Sequence, residues 1–259
     1  MPEPLLADSV TKLDGARGRT VVTGSHGGVF AASLALRTGC RAAVFHDAGV
    51  GLDAAGIGGL AWLDRANMAA AAVDHQTAPI GDATAMLECG VISHVNAAAR
   101  ALGVKPGMYC TEAARLLENA GMPADDAPEI REARKVLEQC ARRLVLVDSA
   151  SLILPEDAGQ VVVTGSHGAI FGGDPANALK ADAHLALFND AGGASTSRLP
   201  ALQHRGVAAV TVAAMTARIG DARSTWQDGV ISACNTLATE MGAKPGLPAR
   251  ELVEIAVER

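Results

Sequence analysis

The chain has 259 residues, 49% of them hydrophobic but only 3% aromatic, and a formal net charge of −6. That length buries one large core or two small ones, and the core has to be built from Ala, Val, Leu and Ile. The acidic balance, without a basic run or interleaved aromatics, argues against a nucleic-acid partner. No apolar run approaches the 18 residues of a membrane span, so no membrane partner is expected.

The opening stretch, Met1-Pro2-Glu3-Pro4-Leu5-Leu6, has neither the basic nor the apolar region of a signal peptide. A strand is expected at Leu5–Val10 and a second at Thr20–Thr23, ending in the turn Gly24-Ser25-His26-Gly27-Gly28. Val29–Arg37 reads as a helix closed by Gly39, Arg41–Phe45 as a strand, Gly58–Arg65 as a helix and Ala69–Val73 as a strand. Asp82 is placed to cap a long helix running through Leu102, stopped by Gly103 and Pro106. The strands are short unbroken apolar runs alternating with helices. This is the pattern of parallel strands covered on both faces.

Thr111–Arg143 reads as a connector with amphipathic helices at Glu112–Leu117 and Glu129–Arg142, parted by Pro123–Pro128. Strands follow at Gln160–Thr164, His184–Phe188 and Val207–Val212, and a short helix at Pro248–Glu258. Five cysteines, Cys40, Cys89, Cys110, Cys140 and Cys234, show no CxxC pairing. Their odd number and wide spacing favour reduced thiols and a cytoplasmic location.

The chain repeats itself. Val22-Thr23-Gly24-Ser25-His26-Gly27-Gly28 returns as Val163-Thr164-Gly165-Ser166-His167-Gly168-Ala169. Asp8-Ser9 returns as Asp148-Ser149, Asp47-Ala48-Gly49 as Asp190-Ala191-Gly192, Ile80-Gly81-Asp82 as Ile219-Gly220-Asp221, and Asn96 as Asn235. A period near 140 residues is a half-domain or small domain, too long for a solenoid repeat. The expected architecture is therefore α/β: two tandem units of mainly parallel strands with flanking helices, related by pseudo-twofold symmetry. Residues 1–110 form unit one, 111–143 the helical connector and 144–259 unit two.

In parallel α/β sheets, ligands bind beyond the carboxyl ends of the strands, and the repeated polar residues fall there. Ser25 and Ser166 are candidate nucleophiles or oxyanion donors, His26 and His167 bases, and Asp47 and Asp190 orienting carboxylates. The turn glycines Gly27, Gly28 and Gly168 could instead present N–H groups to an anion. Asp82 and Asp221 are candidate substrate ligands that equally suit helix N-caps. Ser93 and Asn96 fall within the expected long helix, where they would bond neighbouring loops.

The units also differ. Unit one carries His46, Asp74, His75 and His94, where unit two has Asn189, Ala213, Ala214 and Ala233. Unit two carries Arg218 where unit one has Pro79, and an Arg fork suits a substrate carboxylate. No cofactor is required by these motifs. The alternative is a divalent metal such as zinc or manganese, with His26, His46 and Asp47 as ligands.

The turn Ser25-His26-Gly27-Gly28 resembles the His-Gly-Gly strand end of creatininase-type amidohydrolases, which are metal-dependent. The likeness is confined to those residues and implies metal-assisted amide hydrolysis as the alternative mechanism. The leading expectation is a small-molecule hydrolase cleaving an amide or related C–N bond of a carboxylate- or amide-bearing metabolite. A metal-dependent hydrolase or lyase and a non-catalytic anion-binding protein stand beside it. Self-association into a homo-oligomer is expected of a compact, Ala-rich α/β chain.

Overall fold

The computed structural model describes residues 3–124, 128–138, 141–193 and 195–258. The chain divides into two compact units, Met1–Val50 with Ala54–Arg131, and Glu132–Arg259 with the short segment Gly51–Asp53. Both are α/β, each a mixed sheet of mainly parallel strands with flanking helices.

Unit one has five strands in the spatial order β1 (Leu5–Ala7), β2 (Thr20–His26), β3 (Ala42–His46), β4 (Ala69–Val73) and β5 (Ile92–Val95). The first four run parallel and β5 is antiparallel to β4. Alternation along the strands sends side chains to opposite faces. Val21, Ala43, Phe45, Ala70 and Ala72 meet helices α1 (Val29–Arg37) and α2 (Gly58–Asp64). Val22, Ala42, Val44, Ala71 and Val73 meet the other layer, α3 (Ala83–Cys89), α4 (Ala97–Ala101) and α5 (Cys110–Leu117). With so many alanines on the strands, the helices approach closely and few aromatics are needed.

Unit two has six strands in the order β11 (Ile231–Cys234), β10 (Ala208–Val212), β9 (Leu185–Asn189), β8 (Val161–His167), β7 (Leu144–Val147) and β6 (Arg134–Leu137). The four central strands are parallel, and β6 and β11 are antiparallel edges. Helix α6 (Arg198–His204) covers one face; α7 (Ala222–Gln227), α8 (Thr236–Glu240) and α9 (Ala249–Glu258) pack on the other.

Two expectations are corrected here. The long helix expected from Asp82 to Leu102 is a helix, a strand and a second helix. Gly90 leaves α3 in an extended conformation, β-branched Val91 and Ile92 follow, and β5 pairs with β4. Ser93 therefore stands on a strand, and Asn96 is the N-cap of α4.

The helix expected over Glu129–Arg142 contains the strand β6, whose partly buried Val136 and Leu137 pack against the two faces of the second core. Gln139 and Cys140 of that stretch, and residues 125–127 of the Pro-bounded spacer, lie outside the described residues. Unit two also has no helix where unit one has α1. Gly172 and Gly173 at φ 63° and 66°, followed by Pro175, break that segment into a short 3-10 turn at Pro175–Ala178.

Among the described residues no helix is long and apolar enough to cross a membrane. Cys40, Cys89, Cys110 and Cys234 are free thiols.

Candidate metal centre

Most of the repeated polar residues hold the fold. The Ser25 hydroxyl accepts the N–H of Val10 at 2.9 Å, and Ser166 accepts that of Ala150 at 2.8 Å. Each thereby fastens the loop after the first parallel strand. His26 folds back so that Nδ1 accepts the N–H of Gly28 at 3.1 Å, and His167 takes the N–H of Ala169 at 3.3 Å. The partners of Ser25 and His26 are thus Val10 and Gly28. Desolvation, with the nearby His46 ring, pushes the His26 pKa down to about 4. With Nδ1 accepting, the neutral ring carries its proton on Nε2.

The turn glycines are also engaged. Gly27 N–H donates to the His46 carbonyl at 2.9 Å and Gly168 N–H to that of Asn189 at 2.8 Å. Asp82 and Asp221 cap α3 and α7, accepting N–H groups of Ala85 at 2.8 Å and Ser224 at 2.9 Å. The Asn96 and Asn235 side-chain amides each make four hydrogen bonds. Asn96 Oδ1 accepts from Ala70 and Ala99, while Nδ2 donates to Met68 and Leu60 carbonyls. Asn235 does the same with Ala209, Ala238, Val207 and Leu199. Arg218 is half-exposed and held by Asp53, with Nε 2.8 Å and a terminal nitrogen 2.5 Å from its carboxylate.

His46 and Asn189 differ in sequence yet do one job. His46 Nδ1 accepts the N–H of Ala48 at 3.0 Å, so Nε2–H donates to the Ala78 carbonyl at 3.0 Å. Asn189 accepts from Ala191 at 2.9 Å and donates to Ala217 at 3.0 Å. Burial lowers the His46 pKa, in keeping with a neutral ring. Both nitrogens are occupied, so the ligand set His26, His46 and Asp47 is not assembled.

A different group is. His46 ends β3 and Asp47 follows it, and Asp74 and His75 follow the adjacent strand β4. Asp47 is 2% exposed. Its Oδ1 accepts from Gly49 N–H at 2.9 Å, from His75 N–H at 3.0 Å and from His75 Nδ1–H at 3.0 Å. Its Oδ2 accepts from the Ser93 hydroxyl at 2.9 Å, and Ser93 in turn accepts from His94 Nδ1–H at 3.0 Å. Asp74 Oδ1 lies 3.3 Å from His75 Nδ1.

Asp47, Asp74 and His75 offer ligand atoms within 4.8 Å of one another, and they could hold a metal ion. Two carboxylates and an imidazole suit a hard or borderline divalent cation such as magnesium or manganese. In unit two Asp190 keeps only the backbone part of this arrangement, accepting from Gly192 at 3.2 Å and Ala214 at 2.9 Å. Alanines stand in place of Asp74, His75 and His94.

The loop after Asp47 is strained. Ala48, Val50, Asp53 and Ala54 all have positive φ, of 51°, 62°, 53° and 55°. For β-branched Val50 this costs on the order of 1–3 kcal/mol. Such strain collects at functional sites.

The residues missed as a site were Asp74, His75, Ser93 and His94. The signal for three of them was present, because unit two lacks Asp74, His75 and His94. It was outweighed by the repeated residues, which proved to be the scaffold.

Residues 66–153 match the model of the impB/mucB/samB family. The match spans about a third of the chain, from the turn before β4 to the segment after β7. It includes Asp74, His75, Ser93 and His94 and leaves Asp47 outside. That family is the catalytic domain of Y-family DNA polymerases, enzymes that use divalent metals. No curated protein and no solved structure matches the chain.

Two expectations are corrected by this similarity. Small-molecule C–N hydrolysis with Ser25 or Ser166 as nucleophile, and the absence of a nucleic-acid partner, are both at odds with it, because the matched family is one of DNA polymerases. The geometry explains why the first reading misled. The Ser and His turns recur because both units need them to fasten loops.

Proposed function

We propose that the chain is a divalent-metal-dependent enzyme of nucleotidyl transfer on DNA, with its metal held in unit one by Asp47, Asp74 and His75. The observation that carries this reading is the convergence of those three side chains at the ends of two adjacent parallel strands, in the unit that holds most of the matched residues. A bound magnesium or manganese would act as a Lewis acid on phosphoryl oxygens and offset their charge.

The chain's own groups prepare the place. Hydrogen bonds from the Gly49 and His75 backbone N–H groups and from the Ser93 hydroxyl hold the Asp47 carboxylate in place. Ser93 and His94 orient it from behind, as outer-shell partners of metal ligands do. Asp74 is only partly buried, so its carboxylate stays within reach of a solvated nucleotide.

The test joins manganese titration calorimetry with a primer-extension assay in magnesium or manganese. The wild-type chain should bind manganese and add nucleotides to a primed template. Asp74→Asn and His75→Ala should each weaken manganese binding by at least about tenfold and lower extension in parallel. A chain that binds manganese but extends no primer refutes the polymerase reading. One that binds no divalent cation refutes the site.

A further inference from the structure

We propose that unit two carries a second, separate binding site: a groove for an aliphatic carboxylate between the Pro175–Ala178 turn and helix α6. The two units provide an internal comparison. Leu60 and Leu63 of α2 correspond to Leu199 and Leu202 of α6, and the Asn96 and Asn235 amides reach the carbonyls of Leu60 and Leu199.

In that register Gly59 corresponds to Arg198 and Trp62 to Ala201. In unit one, α1 lies so close on α2 that a side chain at Gly59 would meet Ala32 Cβ at 2.6 Å and the Gly28 carbonyl at 2.6 Å. Trp62 packs against the same core.

Unit two has neither the covering helix nor the indole. The Arg198 side chain enters part of the vacated space. It donates from Nε to the Ala169 carbonyl at 3.0 Å and from Nη1 to those of Asn177 and Ala178, with its guanidinium 5.0 Å from the Phe188 ring centroid. It thereby satisfies carbonyls that a helix would have bonded internally.

What remains is a groove of about 740 Å³ walled by Ile170, Pro175, Leu179, Pro200 and Ala201. That size lies in the range of small-molecule sites. No Phe, Tyr or Trp lines it, so it offers no platform for stacking a base. Its aliphatic walls suit an aliphatic chain.

Lys180, His204 and Arg205 stand at its edge. Arg205 holds Asp182 at 2.6 Å, and Lys180 donates to the Ser151 carbonyl. Arg205 thus has a carboxylate partner, whereas Lys180 has a neutral carbonyl, and an anionic head group would pair with the Lys180 ammonium. The inference is independent of the metal centre, which lies in the other unit.

The experiment is titration calorimetry of the full chain with octanoate and with octan-1-ol, in the absence of divalent metal. Octanoate should bind once per chain, and octanol at least about tenfold more weakly, since it lacks the charge. Lys180→Met should weaken octanoate severalfold. Ala201→Trp, which restores the unit-one residue, should abolish binding without lowering the melting temperature. If that variant does not fold, Ala176→Leu on the opposite wall is expected to weaken octanoate in its place. Wild-type protein that does not bind octanoate, or binds octanol equally well, overturns the proposal. So does a folded Ala201→Trp, or an Ala176→Leu used in its stead, that retains full affinity.

Discussion

His46 and Asn189 accept one N–H and donate to one carbonyl at matching places, so histidine at 46 acts as an amide substitute. His46→Asn should therefore cost less than about 1.5 kcal/mol, whereas His46→Leu, which leaves both partners unsatisfied, should cost about 2–4 kcal/mol. Urea midpoints of the two variants check this. Gly24 makes the complementary point about size. A Cβ there would sit 2.6 Å from the Asp8 carbonyl and 2.8 Å from the Gly81 backbone. At Gly165 it would lie 2.5 Å from Gly220 and 2.7 Å from the Asp148 carbonyl. This close approach explains why the Gly-Ser-His and Ile-Gly-Asp motifs recur together: the glycines of each pair touch. Gly24→Ala and Gly165→Ala should each destabilise by more than about 3 kcal/mol, because only backbone could move. Thermal melts that leave either variant within 1 °C of wild type would show the contact to be unimportant.

Between the units, the same type of element takes different forms. After the Ser-His turn, unit one makes α1, with Ala31, Ala32, Ala35 and Leu36 buried. Unit two, with Gly172, Gly173 and Pro175, makes a 3-10 turn and recruits Arg198 to satisfy its carbonyls. Desolvation pulls the Arg198 pKa down to about 10, so the guanidinium stays charged at neutral pH. Arg198→Leu should expose unbonded carbonyls and open the turn. Faster amide exchange confined to residues around 169–178 would report it. The loop after β3 is an element under strain. Val50→Gly should stabilise unit one by about 1 kcal/mol, since glycine accepts φ 62° without a Cβ clash. Denaturant midpoints decide this, and an unchanged or lowered midpoint would place the strain elsewhere.

Across the molecule, groups with opposite shifts shape stability against pH, the buried His26 and His46 on one side and Glu132 on the other. His26 has its pKa pushed down to about 4, so unfolding takes up a proton between about pH 6.5 and 4, and stability falls as pH drops through that window. Glu132 is pushed the other way, up to about 7, by burial and then by the neighbouring Asp148 carboxylate. Its contribution is full below its ordinary value of 4.5 and is lost as pH rises towards 7. The two oppose each other between about pH 4.5 and 6.5, which should flatten the wild-type profile there. Glu132→Gln removes one side. That variant should gain on wild type as pH rises from 4.5 to 7 and keep the loss towards pH 4. A profile parallel to wild type throughout would remove Glu132 from the account. With the proposed metal site, manganese should raise the melting temperature by mass action in wild type and much less in Asp74→Asn.

The sequence by itself determined the duplication, the α/β class and the central parallel strands, because apolar runs and turn residues are local signals. The bounds of α1 and β4 were legible to the residue. It could not place β5, whose four residues sit in an Ala-rich, helix-like stretch and become a strand only by pairing with β4. Nor could it separate scaffold from site. Ser25, His26 and Asp82 look chemical in one dimension, and only the tertiary structure shows their polar atoms spent on Val10, Gly28 and α3. The centre at Asp47, Asp74 and His75 depends on two strand ends lying side by side, with Ser93 and His94 reaching in from a third. Contact across parallel strands joins residues far apart in the chain, and sequence spacing does not fix which of their side chains meet.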